Sequence, residues 1–192
     1  MTKILTTIGP ASTGKNLKYF LNNSHFIRFN ISHNIFNWHK NHINKIKKID
    51  PNKLILIDIP GVKPRTLNKT PIFIKKGQKV RFSAKPSKKE KNLIKLSNPL
   101  PKIKKNSKFF YLSDGTYEFK NLKIKNKILT GVSCQNFTLK PKKGLNIPFS
   151  IYNDKIQQNL YFSYLKKVSK LNVNCVGLSF IQNPNILQKL KV

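Results

Sequence analysis

With 192 residues, the chain is long enough for one ordinary domain, or for a domain carrying a small insert. Its hydrophobic share of 39% lies below the globular norm, and 38 Lys+Arg against 6 Asp+Glu give a formal charge of +32. Two isolated cysteines, Cys134 and Cys175, have no metal-ligand spacing and suggest a reducing compartment, and no apolar run is long enough to span a membrane.

The opening MTKILTTIGPAS is too short, and too polar in its second half, for a signal peptide, so the expected compartment is cytoplasmic. A charge of +32 usually suggests a polyanionic partner such as nucleic acid. The excess is lysine, however, and base-edge readout favours arginine. Lysine is joined by abundant asparagine, isoleucine and phenylalanine, all with A/T-rich codons, so compositional drift of a genome is the competing explanation. Either origin predicts weak, nonspecific nucleic-acid binding at low salt.

In chain order, Ile4–Ile8 reads as a buried strand ending at Gly9-Pro10, after which Ser12 or Thr13 can cap a short helix through Leu17 and Phe20. His25–Phe29 reads as a second strand. A helix follows from about Asn34, with Ile35, Trp38, His42 and Ile46 on one face and Ile43 and Ile49 beside it. Within it, His39 and His42 share an i, i+3 spacing but have no acidic or cysteine partner nearby in sequence. They read as a solvated or half-buried helix face rather than a metal site.

Lys53–Ile57 is a third strand that runs into Asp58. Strands separated by helices of this length suggest parallel βαβ units, whose chemistry gathers at the carboxyl ends of the strands. Asn30, Ser32 and Asp58 fall at such ends.

The texture changes after Pro64. Short strand-like runs at residues 71–74, 80–82, 109–112, 117–119, 122–128 and 137–139 are punctuated by Gly, Pro and Asn, with no long helical pattern between them. They read as a small β-domain inserted into the α/β part. Asp154 can then cap a helix with Ile156, Leu160, Tyr164, Val168 and Leu171 on one stripe. Residues 174–180 read as a fourth strand, and Asn183-Pro184 starts a helix running toward Val192.

Only three arginines occur, Arg28, Arg65 and Arg81. A chain that avoids arginine keeps one where a planar, permanently charged fork is hard to replace. Arg28-Phe29-Asn30-Ile31-Ser32-His33 sets such a fork beside an amide and a hydroxyl, a combination suited to a phosphate or carboxylate.

Six segments, in order, resemble pyruvate kinase. They are Thr2-Lys3-Ile4 through Ile8-Gly9-Pro10-Ala11-Ser12, the Arg28–His33 segment, Leu56-Ile57-Asp58-Ile59-Pro60-Gly61-Val62-Lys63-Pro64-Arg65, Ser113-Asp114-Gly115, Lys143-Gly144-Leu145-Asn146-Ile147-Pro148, and Gly177-Leu178-Ser179-Phe180-Ile181. Two of the six acids and two of the three arginines lie on these segments, positions that drift alone has little reason to spare. The resemblance implies an α/β fold: a partial TIM-type (β/α) barrel of about four strands, interrupted by a small β-barrel lid domain. The expected divisions are residues 1–65 and 149–192 for the barrel and 66–148 for the lid.

The resemblance further implies phosphoryl transfer from phosphoenolpyruvate to ADP, giving pyruvate and ATP in glycolysis, with Mg2+. Arg28 would contact the substrate phosphate. Asn30, Ser32, His33, Arg65, Asp114 and Lys143 would serve nucleotide binding, the last two from the lid, although Asp114 reads equally as a turn residue before Gly115 and Lys143 as one of many surface lysines. Generic surface salt bridges are an unattractive alternative for the arginines when acids are so few.

Asn30, Ser32, Asp58 and the Ile59 carbonyl match the family's monovalent-cation ligands, all oxygens suited to a hard cation. Strand-end capping is the plainer role for these side chains. Family members with lysine at the position of Lys63 generally do not need potassium, since an ammonium supplies the charge, so K+ is expected to be dispensable.

Departures from the pattern are Val62 and Pro64 in the loop before Arg65, Ser113 for the first Asp of D-D-G, and Asn34 for a common glycine. The family's catalytic lysine and its magnesium-binding Glu and Asp have no matching positions here. The isolated chain is therefore expected to lack turnover, with a second polypeptide as the potential source of the rest of the barrel. The alternative from another class is a basic nucleic-acid-binding or noncatalytic partner protein built on a degenerate half-barrel.

Overall fold

The computed structural model describes residues 2–86, 92–104 and 107–190. β1 (Leu5–Thr7) leads through short 3-10 turns to α1 (Leu17–Asn22), β2 (Phe26–Asn30), α2 (Phe36–Ile49) and β3 (Leu54–Ile59). A strand-only stretch follows: β4 (Ile72–Ile74), β5 (Lys79–Ser83), β6 (Ile94–Lys95), β7 (Lys102–Ile103), β8 (Phe109–Leu112), β9 (Tyr117–Lys125), β10 (Ile128–Ser133), β11 (Phe137–Leu139), β12 (Leu145–Asn146) and β13 (Ser150–Ile151). The described chain closes with α3 (Asp154–Val168), β14 (Cys175–Leu178) and α4 (Asn185–Lys189). α4 ends at Lys189 with Leu190 as its C-cap, short of the expected run toward Val192, whose last two positions lie outside the described residues. No helix among the described residues is long and apolar enough to cross a membrane.

Two compact units result, Met1–Gly61 with Lys155–Val192, and Val62–Asp154. In the first, four parallel strands lie in the order β1-β2-β3-β14. Alternation along β2 and β3 sends Ile27, Phe29, Ile55, Ile57 and Ile59 into one core with Leu17, Leu21, Ile43, Ile46, Tyr161 and Val168 of the helices. Arg28, Asn30 and Asp58 therefore lie on the opposite face of the sheet.

The two long helices differ from expectation chiefly in rotation. In α2 the buried residues are His39, Ile43 and Ile46, while Ile35 and Ile49 are exposed. His39 is thus a core residue, more deeply buried than the solvated or half-buried face expected, whereas His42 is half-buried. Its ring packs edge-on against Phe29 and Trp38, and its Nε2 lies 2.6 Å from the His33 carbonyl. In α3, Gln157 and Tyr161 take the buried places expected of Ile156 and Leu160. Both polar side chains find backbone carbonyl partners, which removes the penalty for burying them. Ser12 and Thr13 close the turn before α1 by bonding Gly9 and Pro10 instead of capping that helix.

The protonation of His39 carries a prediction. Its Nε2–H serves the His33 carbonyl, and its buried Nδ1 has no partner among the described residues. Burial, followed by the charges of His42 and His33, holds the imidazole below its ordinary value against the raising effect of the His33 hydrogen bond. A depressed histidine pKa means that the unfolded chain takes up the proton first. Stability is therefore full above about pH 6.5 and falls as the pH drops below it. Urea unfolding followed by Trp38 fluorescence should show this acid loss, and His39→Gln should flatten it.

In the second unit, a six-stranded sheet runs β12-β8-β9-β10-β5-β6, flanked by the pairs β11-β4 and β13-β7. Its core stacks Phe110 on Phe119 at 4.7 Å and sets Phe82 edge-on to both rings. The run expected at residues 122–128 is broken by Asn126 and Lys127, both in the left-handed region at φ 52° and 62°. That hairpin turn separates β9 from β10, a strand the sequence reading did not identify.

Candidate functional site

At the carboxyl ends of the parallel strands, register places Thr7 opposite Arg28, Asn30 opposite Asp58, and Asp58 opposite Gly177. The Arg28 guanidinium bridges its neighbours, donating to Thr7 Oγ1 at 2.8 Å and to Asp58 Oδ2 at 2.5 Å. The scarcity of acids thus did not leave Arg28 without one. Its partner stands at a strand end, with the arginine side chain 30% exposed and the aspartate 17%. The other Asp58 oxygen, Oδ1, accepts the Ser179 hydroxyl at 2.8 Å.

Asn30 Oδ1 accepts the Ser32 backbone N–H at 3.0 Å, shaping the exit from β2. His33 is exposed and continues that turn, its N–H bonding the Asn30 carbonyl. Asn34 follows at φ 58°, a left-handed position where asparagine is tolerated and glycine is common.

The inserted unit holds a second cluster, built where three segments are stitched together. Thr66 N–H bonds the Lys143 carbonyl, Leu145 N–H bonds Pro64, and Ser113 N–H bonds Gly144. Lys63 is buried along its length against Gly144, where an added Cβ would come within 2.7 Å of its Cε. Its ammonium donates to Asp114 Oδ1 at 2.6 Å. Ser113, Asp114 and Gly115 are three successive left-handed residues, which project the Asp114 carboxylate from the turn between β8 and β9. Asp114 is 85% exposed, and the hydrogen bond from Lys63 and its charge hold the carboxyl below its ordinary range. Arg65 and Lys143 add smaller contributions in the same direction, and Arg65 also donates to the Lys142 carbonyl.

Among the comparisons with known proteins, the family model for the pyruvate kinase barrel domain matches residues 1–191. The chain belongs to the pyruvate kinase family. Its backbone superposes on Cryptosporidium parvum pyruvate kinase with a TM-score of 0.79 at 24% identity, over 98% of this chain and 41% of that one. A second pyruvate kinase structure from that organism gives 0.74 at 24% identity with the same coverage. The Pyrobaculum aerophilum enzyme gives 0.69 at 16% identity, covering 98% and 44%. This chain therefore spans less than half the length of those pyruvate kinases. No curated protein sequence matches it significantly.

The positions singled out in the sequence gather into two groups, one per unit: Arg28, Asn30, Ser32, His33, Asp58 and Ile59 in the first, Lys63, Arg65, Asp114 and Lys143 in the second. Thr7, Ser179, Gln157 and Tyr161 are engaged with the first group, directly or through Ser179, and were not selected as site residues. Thr7 and Ser179 both lie within family-like segments at strand ends, a signal that was available. The buried Gln157–Tyr161 pair gave none, because polar residues on a helix normally read as its wet face.

Of the oxygen donors proposed for a monovalent cation, those of Asn30, Asp58 and Ile59 are already hydrogen-bonded. Asp58 accepts from Arg28 and Ser179, and the Ile59 carbonyl accepts the Ser179 N–H at 3.0 Å. Each oxygen retains acceptor capacity, so the set still fits a hard cation. Among the described residues no three His, Cys, Asp or Glu side chains come together as a metal site, and no magnesium step is assigned to them.

Proposed function

We propose that this chain is the phosphate-holding portion of a pyruvate kinase-type phosphotransferase, acting between phosphoenolpyruvate and ADP. Phosphoryl transfer depends on positioning and charge neutralisation more than on covalent participation by the protein. The observation that carries the reading is the Arg28 guanidinium, braced by Thr7 and Asp58 at the carboxyl ends of parallel strands. Two of its five N–H donors are used in that brace, and the remainder can take a phosphate.

Arg65 and Lys143 would hold nucleotide phosphates on the inserted unit, which would act as the lid, with Asp114 orienting the Lys63 ammonium beside them. By the family resemblance, His33 would also serve nucleotide binding. Magnesium, when bound, supplies further neutralisation of phosphoryl charge. Asn30, Ser32, Asp58 and the Ile59 carbonyl would hold a monovalent cation, and by the family resemblance a lysine at position 63 would make that ion dispensable. The family's groups for enolate and metal chemistry have no matching positions among these 192 residues, and a second polypeptide would be their source.

The test is titration of the purified chain with phosphoenolpyruvate, alongside an assay for pyruvate. Binding without turnover is the expected result, with the same affinity in sodium and potassium buffers. Absence of binding overturns the substrate assignment. Pyruvate formation by highly purified chain would contradict the division of labour, and strong potassium dependence the role given to Lys63.

A further inference from the structure

Behind the Arg28–Asp58 pair lies a chain of hydrogen bonds that ends in the core. Tyr161 is fully buried, and its hydroxyl donates to the Ser179 carbonyl at 2.5 Å. Burial pushes that phenol up to about 12, so it remains a donor across the physiological range. Gln157, also buried, shares its two Nε2–H groups among the Tyr161 hydroxyl and the carbonyls of Ser179 at 3.3 Å and Phe180 at 2.8 Å.

These bonds fix a backbone that would not choose its shape unaided. Phe180 has φ 65°, a left-handed value that phenylalanine rarely adopts. From the other side, Gly61 presses so close that an added Cβ would lie 2.6 Å from the Ser179 oxygen and 2.8 Å from the Phe180 Cβ. The Ser179 N–H is held by the Ile59 carbonyl at 3.0 Å. With its backbone pinned on three sides, Ser179 has one free group, the hydroxyl, and that group meets Asp58 Oδ1.

We propose that Ser179, held in place by Tyr161 and Gln157, is the positioning residue that sets Asp58 and, through it, the anion-binding attitude of Arg28. A carboxylate's terminal torsion is broad, so one partner alone does not fix its plane. In this site Ser179 takes one oxygen and Arg28 the other, which confines Asp58 to a single lateral contact with the guanidinium. Without the serine hydroxyl, the carboxylate is free to turn and take both guanidinium nitrogens in a fork, the geometry that Arg–carboxylate pairs favour. That fork would occupy donors otherwise offered to a phosphate. Ser179 thus acts without being required to touch the ligand. This inference rests on reading Arg28 as an anion-binding group.

The chain's three arginines make the test direct. The full chain is labelled with 15N-arginine, and Arg28 is assigned from the signal lost in Arg28→Lys. The guanidinium spectrum is then recorded for the parent, Ser179→Ala, Ser179→Thr and Tyr161→Phe, each titrated with phosphoenolpyruvate and melted in parallel. Ser179→Ala is expected to move the Arg28 signal, leave the other two in place, and weaken binding about tenfold. Ser179→Thr, which keeps a hydroxyl, is expected to restore both readings, and Tyr161→Phe to shift them in the same direction by less.

An Arg28 signal unmoved in Ser179→Ala overturns the proposal. So does a loss of affinity that Ser179→Thr fails to rescue while the melting temperature falls in step. If Ser179→Ala does not fold, the Arg28 signal in Tyr161→Phe decides the matter. Failure of the parent to bind phosphoenolpyruvate would refute the substrate assignment alone, because the movement of the Arg28 signal is read without ligand.

Discussion

Gly131→Ala is expected to destabilise the inserted β unit by about 3 kcal/mol, at the upper end of the range for overpacked cores. Gly131 lies in β10 beneath the ring of Phe110, and a Cβ built there would fall 2.2 Å from Phe110 Cε1 and 2.8 Å from Cζ. The ring has nowhere to retreat. It is fully buried, stacked on Phe119 and edge-on to Phe82, while Phe119 in turn meets Phe137. The opposing β9 backbone is close as well, with the Lys120 carbonyl 3.3 Å from the same point. Relief would require moving a strand, and the β9–β10 register already shifts between Thr130 and Val132.

The two compact units allow this loss to be localised. Trp38 is the single tryptophan and belongs to the first unit, so its fluorescence reports on the parallel sheet. Near-ultraviolet circular dichroism in the phenylalanine and tyrosine bands adds a signal from the insert, where Phe82, Phe110, Phe119, Phe137 and Tyr117 pack together. In urea, Gly131→Ala should bring the circular dichroism transition to markedly lower denaturant, with much less effect on the Trp38 transition. Gly115→Ala is the useful contrast, because Gly115 has φ 97° but no heavy atom within 4 Å of an added Cβ. Its cost is backbone strain alone, about 1 kcal/mol. Equal transitions for the parent and Gly131→Ala would refute the packing argument, and recovery in Gly131→Ala/Phe110→Leu would support it.

The division into an α/β part and a strand-rich insert was legible because the hydrophobic period changes after Pro64. Rotation about each helix axis was harder to read. In α2, counting every apolar residue pulled the expected face toward Ile35 and Ile49, both exposed. The real stripe runs through His39, a residue that pattern reading assigns to water, since nothing in sequence reveals that the His33 carbonyl waits for its Nε2. The same holds for Gln157 and Tyr161 in α3, whose polar atoms are satisfied by a loop some twenty residues later.

In the insert, β10 was missed because Gly131 and Ser133 dilute the strand pattern, and because Asn126-Lys127 is a less obvious turn than Asn-Gly. Motif residues fared better. Sequence order alone put Asn30 and Asp58 at strand ends, and register then made them neighbours. What order could not supply was pairing: that Arg28 would spend donors on Asp58, and Lys63 its ammonium on Asp114.

That pairing sharpens the remaining prediction, Arg28→Lys, which is expected to weaken phosphoenolpyruvate binding about 10- to 100-fold, the worth of one or two charge-assisted hydrogen bonds. The competing view is that Arg28 is simply the structural partner of Asp58. On that view a lysine should serve, since an ammonium keeps the charge and this chain uses lysine at 35 of its 38 basic positions. The geometry argues otherwise. Arg28 reaches Thr7 Oγ1 from one terminal nitrogen and Asp58 Oδ2 from the other, with further N–H groups left for a third acceptor. A lysine carries its donors on one atom and cannot span Thr7 and Asp58 while also presenting a planar fork to an anion. Arg28→Lys should therefore keep the ion pair and a nearly unchanged melting temperature, yet lose the ligand. Arg81→Lys, in β5 of the other unit, should leave the affinity unaltered. If calorimetric titration found Arg28→Lys binding as tightly as the parent, the guanidinium would be structural and the phosphate assignment would fail with it.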